Sequence, residues 1–411
     1  MSSGVGAPTG ARPPQSPRVA IVSAVRTPIG KFGGNLRQTP ATVLGTIAVE
    51  AALARARVAP ADVPELVFGH CIQAGTGQNP ARQVLLGAGI PNTSGAVTIN
   101  KVCGSGLKAI TLAAAEIRAG DFDLIVAGGM ESMDSAPFLL PNRIREGHRY
   151  GPLTADDAVL RDSLLDAYGD HDHMGLTGER VAEHFQLTRA EVDAFALRSH
   201  QRAADATKAG LFKPEMVPVP GERTHTGKGL ENDEGIRPDT TVESLAKLKP
   251  AFRPDGILTA GNSSQLSDGA AAVVVAGEPA MSRLGLRPLA WIHSYAVSGV
   301  DPDDVMESPI PTVKLHLART GFVPGDFDRV EHNEAFSSAS LAVQRTFGFT
   351  EEQFNPRGGA VALGHPIGAS GARIVVTLLH ELIASDGALG LATLCMGGGN
   401  GLSIILDRRD L

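Results

Sequence analysis

The sequence has few cysteines, few aromatic side chains and no long apolar runs. It contains three cysteines in 411 residues, and aromatic residues make up 4% of the chain. An odd, sparse cysteine count argues against a disulfide framework and favours a reducing compartment, so we expect a cytoplasmic protein. Because no apolar stretch reaches the roughly 20 residues that a membrane-spanning helix needs, we expect no membrane partner.

The sequence also lacks a strong excess of one charge. Its net charge is −7 and its isoelectric point is about 6.0. Nothing in this balance favours binding to nucleic acid or to an anionic surface. With 43% hydrophobic and 20% charged residues, the chain has a globular composition and is long enough for more than one core.

Segments with the apolar pattern of a strand alternate with segments that have the pattern of a helix, which indicates an α/β fold. Strands are predicted at 19–23, 66–68, 97–100 and 123–127, and helices at 40–57 and 104–119. Such alternation predicts parallel βαβ units. Between 130 and 250 the chain becomes polar and rich in turns, with one clear helix over 189–209 that starts at a Thr188–Glu191 capping box. This stretch suits a lid over an active site.

These changes in composition and in predicted secondary structure divide the chain into five parts. They are a flexible tail (1–17), a first α/β half (18–129), an inserted loop domain (130–250), a return to the first half (251–283) and a second α/β half (284–411). A turn, helix and strand in the first half (SGLKAI, 105–110, to DLIVAGG, 123–129) recur in the second (SGARIV, 370–375, to ALGLATL, 388–394). The repeat predicts two similar halves, with a site where their loops meet.

Two cysteines lie at the ends of predicted strands. Cys103 lies directly before a helix, where free N–H groups are expected to lower a thiol pKa, although a lone cysteine is commonly a small buried hydrophobe. Cys395 is followed by a run of three glycines that begins at Gly397, and successive glycine N–H groups can form a nest for an oxyanion. A buried strand cysteine before a flexible turn is the alternative for Cys395.

Two further polar residues occur in glycine-rich or strand-ending segments. His365 lies between glycine and proline, which fix the backbone, and with a pKa near neutrality it could accept a thiol proton. Asn333, between a strand and a helix, could cap that helix or hold a water or a substrate carbonyl. Each of these residues alone has an ordinary structural explanation.

Taken together, the segments around these residues resemble the thiolase superfamily. The four boxes are INKVCGSGLKA with Cys103, NEAF with Asn333, GHP with His365 and CMGGG with Cys395. Further similar segments are AVRTPIGKFGG (24–34), GGMESM (128–133), HMG (173–175), KPAF (249–252) and TAGNSSQLSDGAA (259–271). The resemblance extends from residue 18 to the end of the sequence. It implies a five-layer α-β-α-β-α core with an inserted loop domain.

The resemblance implies a mechanism. His365 would assist ionisation of Cys103, which would form an acyl-enzyme from an acyl-CoA, and Cys395 would remove the α-proton of a second acyl-CoA. One oxyanion hole would involve His365 and a water held by Asn333, and the other the backbone N–H groups of Cys103 and Gly397. Losing one such donor costs on the order of 3–4 kcal/mol of barrier.

The resemblance also implies how coenzyme A is bound. Arg237 and Ser244 would lie near the nucleotide, Ser264 and Ala260 near the pantetheine, and His173 and Met174 at the acyl end. The family implies a homodimer or homotetramer and no metal or tightly held cofactor, since CoA is a substrate. The competing interpretation of His171, Asp172 and His173 is a metal chelate.

Two departures bear on acyl length. The run NSSQLSDG replaces the NASGLNDG of many acetoacetyl-CoA thiolases, and Asn400 replaces the commoner Met. The HMG segment, by contrast, resembles short-chain enzymes. The sequence therefore favours acetyl-CoA acetyltransferase activity, with a longer-chain 3-ketoacyl-CoA thiolase as the alternative. Two rivals are a decarboxylating ketosynthase, which would use two histidines beside its cysteine, and an acyl-CoA-binding module without catalysis.

Overall fold

The computed structural model describes residues 17–411. Of the tail predicted over 1–17, only Pro17 lies inside the described residues. The strands are β1 Val19–Arg26, β2 Gly30–Lys31, β3 Glu65–Gly69, β4 Gly95–Ile99, β5 Leu124–Ser132, β6 Phe138–Leu139, β7 Asp156–Asp157, β8 Ser267–Gly277, β9 Ala290–Gly299, β10 Arg329–His332, β11 Leu389–Met396 and β12 Asn400–Asp407.

The α-helices are α1 Ala41–Ala56, α2 Pro80–Gly87, α3 Ser105–Ala119, α4 Met174–His184, α5 Arg189–Lys208, α6 Val242–Ala246, α7 Glu278–Leu284, α8 Pro309–Thr320, α9 Ser337–Phe347, α10 Ala360–Leu363 and α11 Ile367–Ala384. Short 3₁₀ helices are Pro60–Asp62, Met133–Ser135, Asn142–Glu146, Gly221–Arg223, Pro302–Glu307 and Pro324–Asp326, and Leu160–Leu164 is a π-helical turn.

The main sheet consists of two halves with the same topology. Its order is β10-β11-β12-β9-β1-β8-β5-β3-β4, and β2 pairs with β8. Without β2 and β4, the first half contains β1, β3, β5 and β8, and the second half contains β9, β10, β11 and β12. Numbered along the chain, the strands of each half lie in the order second, third, fourth, first, which is β3-β5-β8-β1 in the first half and β10-β11-β12-β9 in the second. In each half the second and third strands are parallel and the other neighbours antiparallel. The halves meet where β1 pairs with β9 over two residue pairs. The predicted repeat is therefore confirmed.

The predicted parallel βαβ units are found in part of the sheet. β3 pairs in parallel with β4 and with β5, and β10 pairs in parallel with β11, whereas the other neighbouring strands of the main sheet are antiparallel. β8 enters antiparallel to β5 after the long inserted segment, and β11 and β12 form a hairpin across the three residues Gly397 to Gly399. A three-residue connection reverses the chain, so it can join only antiparallel strands.

Helices α3 and α11 form the central layer between the two half-sheets. Their apolar side chains share one core with residues of β1, β5, β8, β11 and β12. A second core lies between the first half-sheet and α1 and α2, and a third between the second half-sheet and α8 and α9. The five-layer α/β arrangement is thus confirmed. α11 is long and apolar enough to cross a membrane by composition alone, but 83% of it is buried inside the protein.

The two central helices approach closely at a pair of glycines. A Cβ added to Gly106 on α3 would lie 2.7 Å from the backbone nitrogen of Ala372, and one on Gly371 would lie 2.5 Å from that of Leu107. The contact is reciprocal, as expected for two similar helices crossing at a pseudo-twofold axis. Both helices begin at this crossing, so the turns that precede them are brought together.

The polar segment between β5 and β8 is irregular, as its composition indicates. β5 continues to Ser132 and β8 begins at Ser267, and the segment between them contains α4, α5, α6 and two-residue strands. The domain boundaries at 130 and 250 rest on composition and stay predictions. Within the segment, α5 has the predicted capping box, in which Thr188 and Glu191 bond to each other's backbone.

Candidate active site

Cys103 is presented by a strained turn between β4 and α3. The residue before it, Val102, has φ of +49°, which a β-branched side chain rarely adopts. Side chains on either side hold this conformation. Asn100 Oδ1 accepts from the Val102 N–H at 3.0 Å, while Ser105 Oγ accepts from the Lys101 N–H at 2.8 Å and donates to the Val102 carbonyl at 2.6 Å. These hydrogen bonds therefore stabilise the strained backbone of Val102, which sets the position of the Cys103 side chain.

The glycine hairpin between β11 and β12 lies against this turn. Gly398 and Gly399 have φ of +80° and +81°, a conformation that favours glycine. A Cβ on Gly104 would lie 2.0 Å from Met396 Sδ, so the two turns are in contact. Hydrogen bonding from the backbone N–H groups of Gly397 and of Cys103 itself lowers the pKa of the Cys103 thiol, so both N–H groups lie near its sulfur. This arrangement brings together two donors that the sequence predicted for one oxyanion hole.

The expectation of a low thiol pKa at Cys103 is wrong. Burial raises its pKa to about 11, although the N–H groups of Gly397 and Cys103 oppose the rise, and the charge of Glu131 adds to it. The free energy that a thiolate loses when it is removed from water is larger than the stabilisation that the two N–H donors provide. At neutral pH Cys103 is therefore a thiol, and it needs a base to ionise.

His365 lies in the loop before α11 with both ring nitrogens in hydrogen bonds. Nδ1 is 2.5 Å from Ser370 Oγ, and Ser370 Oγ donates its proton to the Pro366 carbonyl at 2.9 Å. Because the hydroxyl proton is used in this way, Nδ1 must be the protonated donor. Nε2 is then the free base, and it accepts from Asn333 Nδ2 at 3.3 Å.

The imidazole of His365 is neutral. Burial and, second to it, the charge of Arg373 lower its pKa to about 3. The expectation of a pKa near neutrality is therefore wrong, because the sequence does not reveal how deeply the loop is enclosed. Both the Cys103 thiol and the His365 imidazole are therefore neutral at rest.

Asn333 does not cap the helix that follows it. α9 begins at Ser337 with Phe336 as its N-cap, so the capping alternative is excluded. The Asn333 side chain is fully buried, and its backbone N–H donates to the Thr393 carbonyl at 3.2 Å. Among the protein atoms of residues 17–411, its Oδ1 has no hydrogen-bond partner. The amide is therefore fixed in place with an acceptor available to a bound molecule.

Cys395 lies near the end of β11 and is almost completely buried. Burial raises its pKa, and the charge of Cys103 raises it further. Its Sγ lies 3.6 Å from Met306 Sδ, in the short helix Pro302–Glu307. Nothing in the sequence indicated this contact, since Met306 belongs to a segment with no recognisable box. Cys395 is therefore a thiol at rest, in an apolar environment.

The residues predicted at the acyl end lie near the two turns. His173 is the N-cap of α4, where Nδ1 accepts from the Gly175 N–H at 3.0 Å, and its ring stacks on Phe252 at 5.1 Å. Met174 is buried in the same core as Cys395. It also lines a cavity of about 500 Å³ together with Val102 and Gly397. The cavity therefore reaches the residue before Cys103 and the glycine hairpin.

The predicted CoA-binding residues are divided between two places. Arg237 and Ser244 are exposed on the inserted segment, and Ser244 Oγ accepts from the Thr241 N–H at 3.0 Å in the capping box of α6. Ala260 is exposed, whereas Ser264 is half-buried and donates its N–H to the Ala335 carbonyl at 3.0 Å. Only the Ser264 loop is thereby joined to the Asn333 segment.

The alternative metal chelate at 171–173 is not formed. His171 Nδ1 is 2.9 Å from the Asp166 carbonyl, and His173 Nδ1 is occupied by its capping bond. Across residues 17–411, one group of metal-capable side chains comes together elsewhere, at His184, Asp304 and Glu307. His184 and Glu307 are hydrogen-bonded to each other there at 2.5 Å.

Glu131 is a residue of the site region to which the sequence assigned no function. Its buried carboxylate accepts from the N–H groups of Cys71, Ile72 and Gly368, and lies 3.1 Å from His70 Nε2. It joins the loop after β3 to the first turn of α11. The GGMESM segment contained it, but its partners come from distant parts of the chain.

Comparison with known proteins agrees with this arrangement. The family model for the thiolase N-terminal domain matches residues 19–279, and that for the thiolase C-terminal domain matches 286–408. The chain belongs to the thiolase family. This thiolase is 47% identical to the acetyl-CoA acetyltransferase of Chromobacterium violaceum, over 95% of the chain and 99% of that relative.

Two solved structures resemble this thiolase over almost its whole length. The Bacillus anthracis acetyl-CoA acetyltransferase has a TM-score of 0.92 and 40% identity, covering 96% of this chain and 99% of that one. Human mitochondrial 3-ketoacyl-CoA thiolase, solved in complex with CoA, has a TM-score of 0.91 and 38% identity, covering 96% and 98%. The thiolase fold expected from the sequence is confirmed.

Proposed function

We propose that this thiolase is an acetyl-CoA C-acetyltransferase, which reversibly converts two acetyl-CoA molecules into acetoacetyl-CoA and CoA. The observation that carries the proposal is the contact between the Cys103 turn and the Gly397 hairpin, where Gly104 packs on Met396, beside a cavity that Val102, Met174 and Gly397 line. Relatives named acetyl-CoA acetyltransferase, similar over almost the full chain, support the same substrate.

In this proposal the first half-reaction transfers an acetyl group to Cys103. His365 Nε2 takes the thiol proton as sulfur attacks the thioester carbon, and the N–H groups of Cys103 and Gly397 stabilise the oxyanion that forms. The CoA thiolate then leaves and takes the proton from His365. Since the Nδ1 proton of His365 is fixed by Ser370, Nε2 can accept and return a proton without a change of tautomer.

The second half-reaction forms the carbon–carbon bond. The Cys395 thiol first gives its proton to the freed Nε2 of His365, and the resulting thiolate removes a proton from the α-carbon of a second acetyl-CoA. The carbanion attacks the acetyl-enzyme carbonyl and the bond to Cys103 sulfur breaks. The departing Cys103 thiolate takes back the proton held by His365 as acetoacetyl-CoA is released. Asn333 and His365 would stabilise the charge that develops on the second thioester oxygen. Thiolysis follows the same path in reverse.

Cleavage of acetoacetyl-CoA tests this proposal against the longer-chain alternative. We expect a higher kcat/KM with CoA and acetoacetyl-CoA than with a 3-ketoacyl-CoA of about eight to ten carbons. Preference for the longer substrate would replace the proposal by a 3-ketoacyl-CoA thiolase of the β-oxidation type. Asn400 and the serine-rich run 262–269 favour that second candidate, as does the similarity to the human mitochondrial enzyme.

Two rival functions are tested with the same protein. A decarboxylating ketosynthase would release carbon dioxide from malonyl-CoA, and it would use two histidines beside its cysteine, whereas this sequence has Asn333 in one of those places and a second cysteine, Cys395. A non-catalytic module would bind CoA without cleaving any 3-ketoacyl-CoA. The presence of Cys103, His365 and Cys395 in the sequence favours catalysis over such a module.

The setting of the reaction is also proposed. Free cysteines favour the cytoplasm. Activity that survives dialysis against a chelator would support catalysis without a metal or other cofactor.

A homodimer or homotetramer is supported by apolar side chains left exposed between 138 and 168, among them Phe138, Tyr150 and Tyr168. Light scattering after size-exclusion chromatography measures the number of subunits, and a monomer would contradict this part.

A further inference from the structure

A hydrogen bond between side chains joins the two turns that meet at Cys103. Lys101 Nζ donates to Asn400 Oδ1 at 3.2 Å, across 299 positions of the sequence. Lys101 precedes Cys103 by two residues, and Asn400 follows Gly397 by three. The bond therefore connects the turn that carries the sulfur to the hairpin that carries the N–H group directed at it.

Both partners of this bond are themselves fixed to the backbone. The Lys101 N–H donates to Ser105 Oγ at 2.8 Å, at the start of α3. On the other side, Asn400 Nδ2 donates to the Gly398 carbonyl at 3.4 Å, and Ser308 Oγ donates to the Asn400 carbonyl at 2.7 Å. Both side chains are half-buried, so solvent competes only partly for the bond.

The hairpin needs such a restraint because its backbone is intrinsically free. Gly397, Gly398 and Gly399 have no side chains, and two of them adopt positive φ. The carbonyl of Gly399 accepts from the Val300 N–H at 2.7 Å, and Met396 packs on Gly104. These contacts hold the outer part of the hairpin and its base. The Lys101–Asn400 bond is a direct side-chain link to the Cys103 turn.

We infer that Lys101 and Asn400 are positioning residues, which hold the Gly397 N–H against Cys103 Sγ and do not bind the substrate. The inference rests on the proposed function, because it assigns the link to an oxyanion hole of that reaction. A displacement of about 1 Å in a catalytic group can reduce a rate by about a hundredfold. A single hydrogen bond between the turns is therefore sufficient to affect catalysis.

The inference is tested with Lys101→Met, Asn400→Met and the double variant. We expect each to reduce kcat for acetoacetyl-CoA cleavage by about tenfold or more, while KM changes by less than about twofold. Because the two residues act through one hydrogen bond, kcat of the double variant should be reduced no more than kcat of either single variant. Asn400→Asp, which keeps an acceptor for the ammonium, should recover most of the activity. Lys108→Met removes a neighbouring charge and is the matched control.

A second measurement needs no acyl-CoA. The Gly397 N–H favours the thiolate, so both Met variants should slow the alkylation of Cys103 by iodoacetamide at pH 8.5, by about threefold to tenfold, as followed by peptide mass spectrometry. An unchanged alkylation rate, additive losses of kcat, or a rise in KM for CoA at constant kcat would each overturn the inference. An inactive wild-type protein would refute the proposed function, but the alkylation comparison would still decide the role of the link.

Discussion

His365 Nδ1 lies 2.5 Å from Ser370 Oγ, whose proton is committed to the Pro366 carbonyl. These two hydrogen bonds leave His365 Nε2 as the only basic nitrogen of the ring, on the side where Asn333 lies. Ser370 thus selects the tautomer without touching the proposed reacting atoms. It is five residues from His365, on the first turn of the helix that follows.

Replacing Ser370 by Ala should reduce kcat by about tenfold to a hundredfold, because the ring can then adopt the wrong tautomer. KM for acetoacetyl-CoA should change little. Steady-state kinetics measures both, and Ser370→Thr should restore part of the rate. Ser403→Ala is a matched control, since it removes a similar Ser–His bond, to His316 Nδ1 at 2.7 Å. Equal losses in the two variants would contradict the assignment.

Replacing Cys103 by Ala should abolish formation of the acetyl-enzyme while the fold is retained. The side chain is small and half-buried, so its loss leaves little empty space. Intact-protein mass spectrometry after incubation with acetyl-CoA should show no added acetyl group. Cys71→Ala, a substitution of another thiol beside the same cavity, should still be labelled. Labelling of the Cys103 variant would show that the nucleophile is elsewhere.

Replacing Cys395 by Ser should preserve acetylation of Cys103 but slow the carbon–carbon step, by on the order of 10²- to 10⁴-fold. A hydroxyl exchanges protons with carbon far less readily than a thiol at this buried position. Acetyl labelling reports the first step, and acetoacetyl-CoA cleavage reports the second. If labelling failed as severely as cleavage, the roles of the two cysteines would be wrongly assigned.

Buried histidines should make the protein less stable in acid. Burial and, second to it, the charges of His293 and Arg319 lower the pKa of His316 to about 4. The ordinary histidine value is about 6.5. Below that pH the unfolded chain takes up a proton that the folded protein excludes. The contribution to stability is therefore complete above pH 6.5 and is lost as pH falls toward 4.

His316→Gln should make this dependence shallower by up to about 1.4 kcal/mol per pH unit between pH 6 and pH 5. Urea denaturation at several pH values gives the free energy of unfolding, and the slope against pH is the quantity compared. A general loss of stability would lower all values equally and leave the slope unchanged. Exposed His148 provides the control variant, His148→Gln. An unaltered slope for His316→Gln would refute the linkage.

The sequence by itself determined the features that depend on near neighbours. The capping box of α5 follows from residues within one turn, and it is found. The boxes around Cys103, Asn333, His365 and Cys395 are local patterns too, and they were sufficient to identify the thiolase family and its fold. Two similar halves also followed, because a repeated turn, helix and strand leaves a trace in sequence.

The tertiary structure alone decided how these residues behave. The thiol pKa of Cys103 was expected to be low from its place before a helix, yet enclosure by both halves raises it. The Gly397 N–H on Cys103 Sγ, the Lys101–Asn400 bond and the Met306 contact to Cys395 all join distant segments. Burial and long-range contacts depend on how all layers pack, and no short stretch of sequence contains that information.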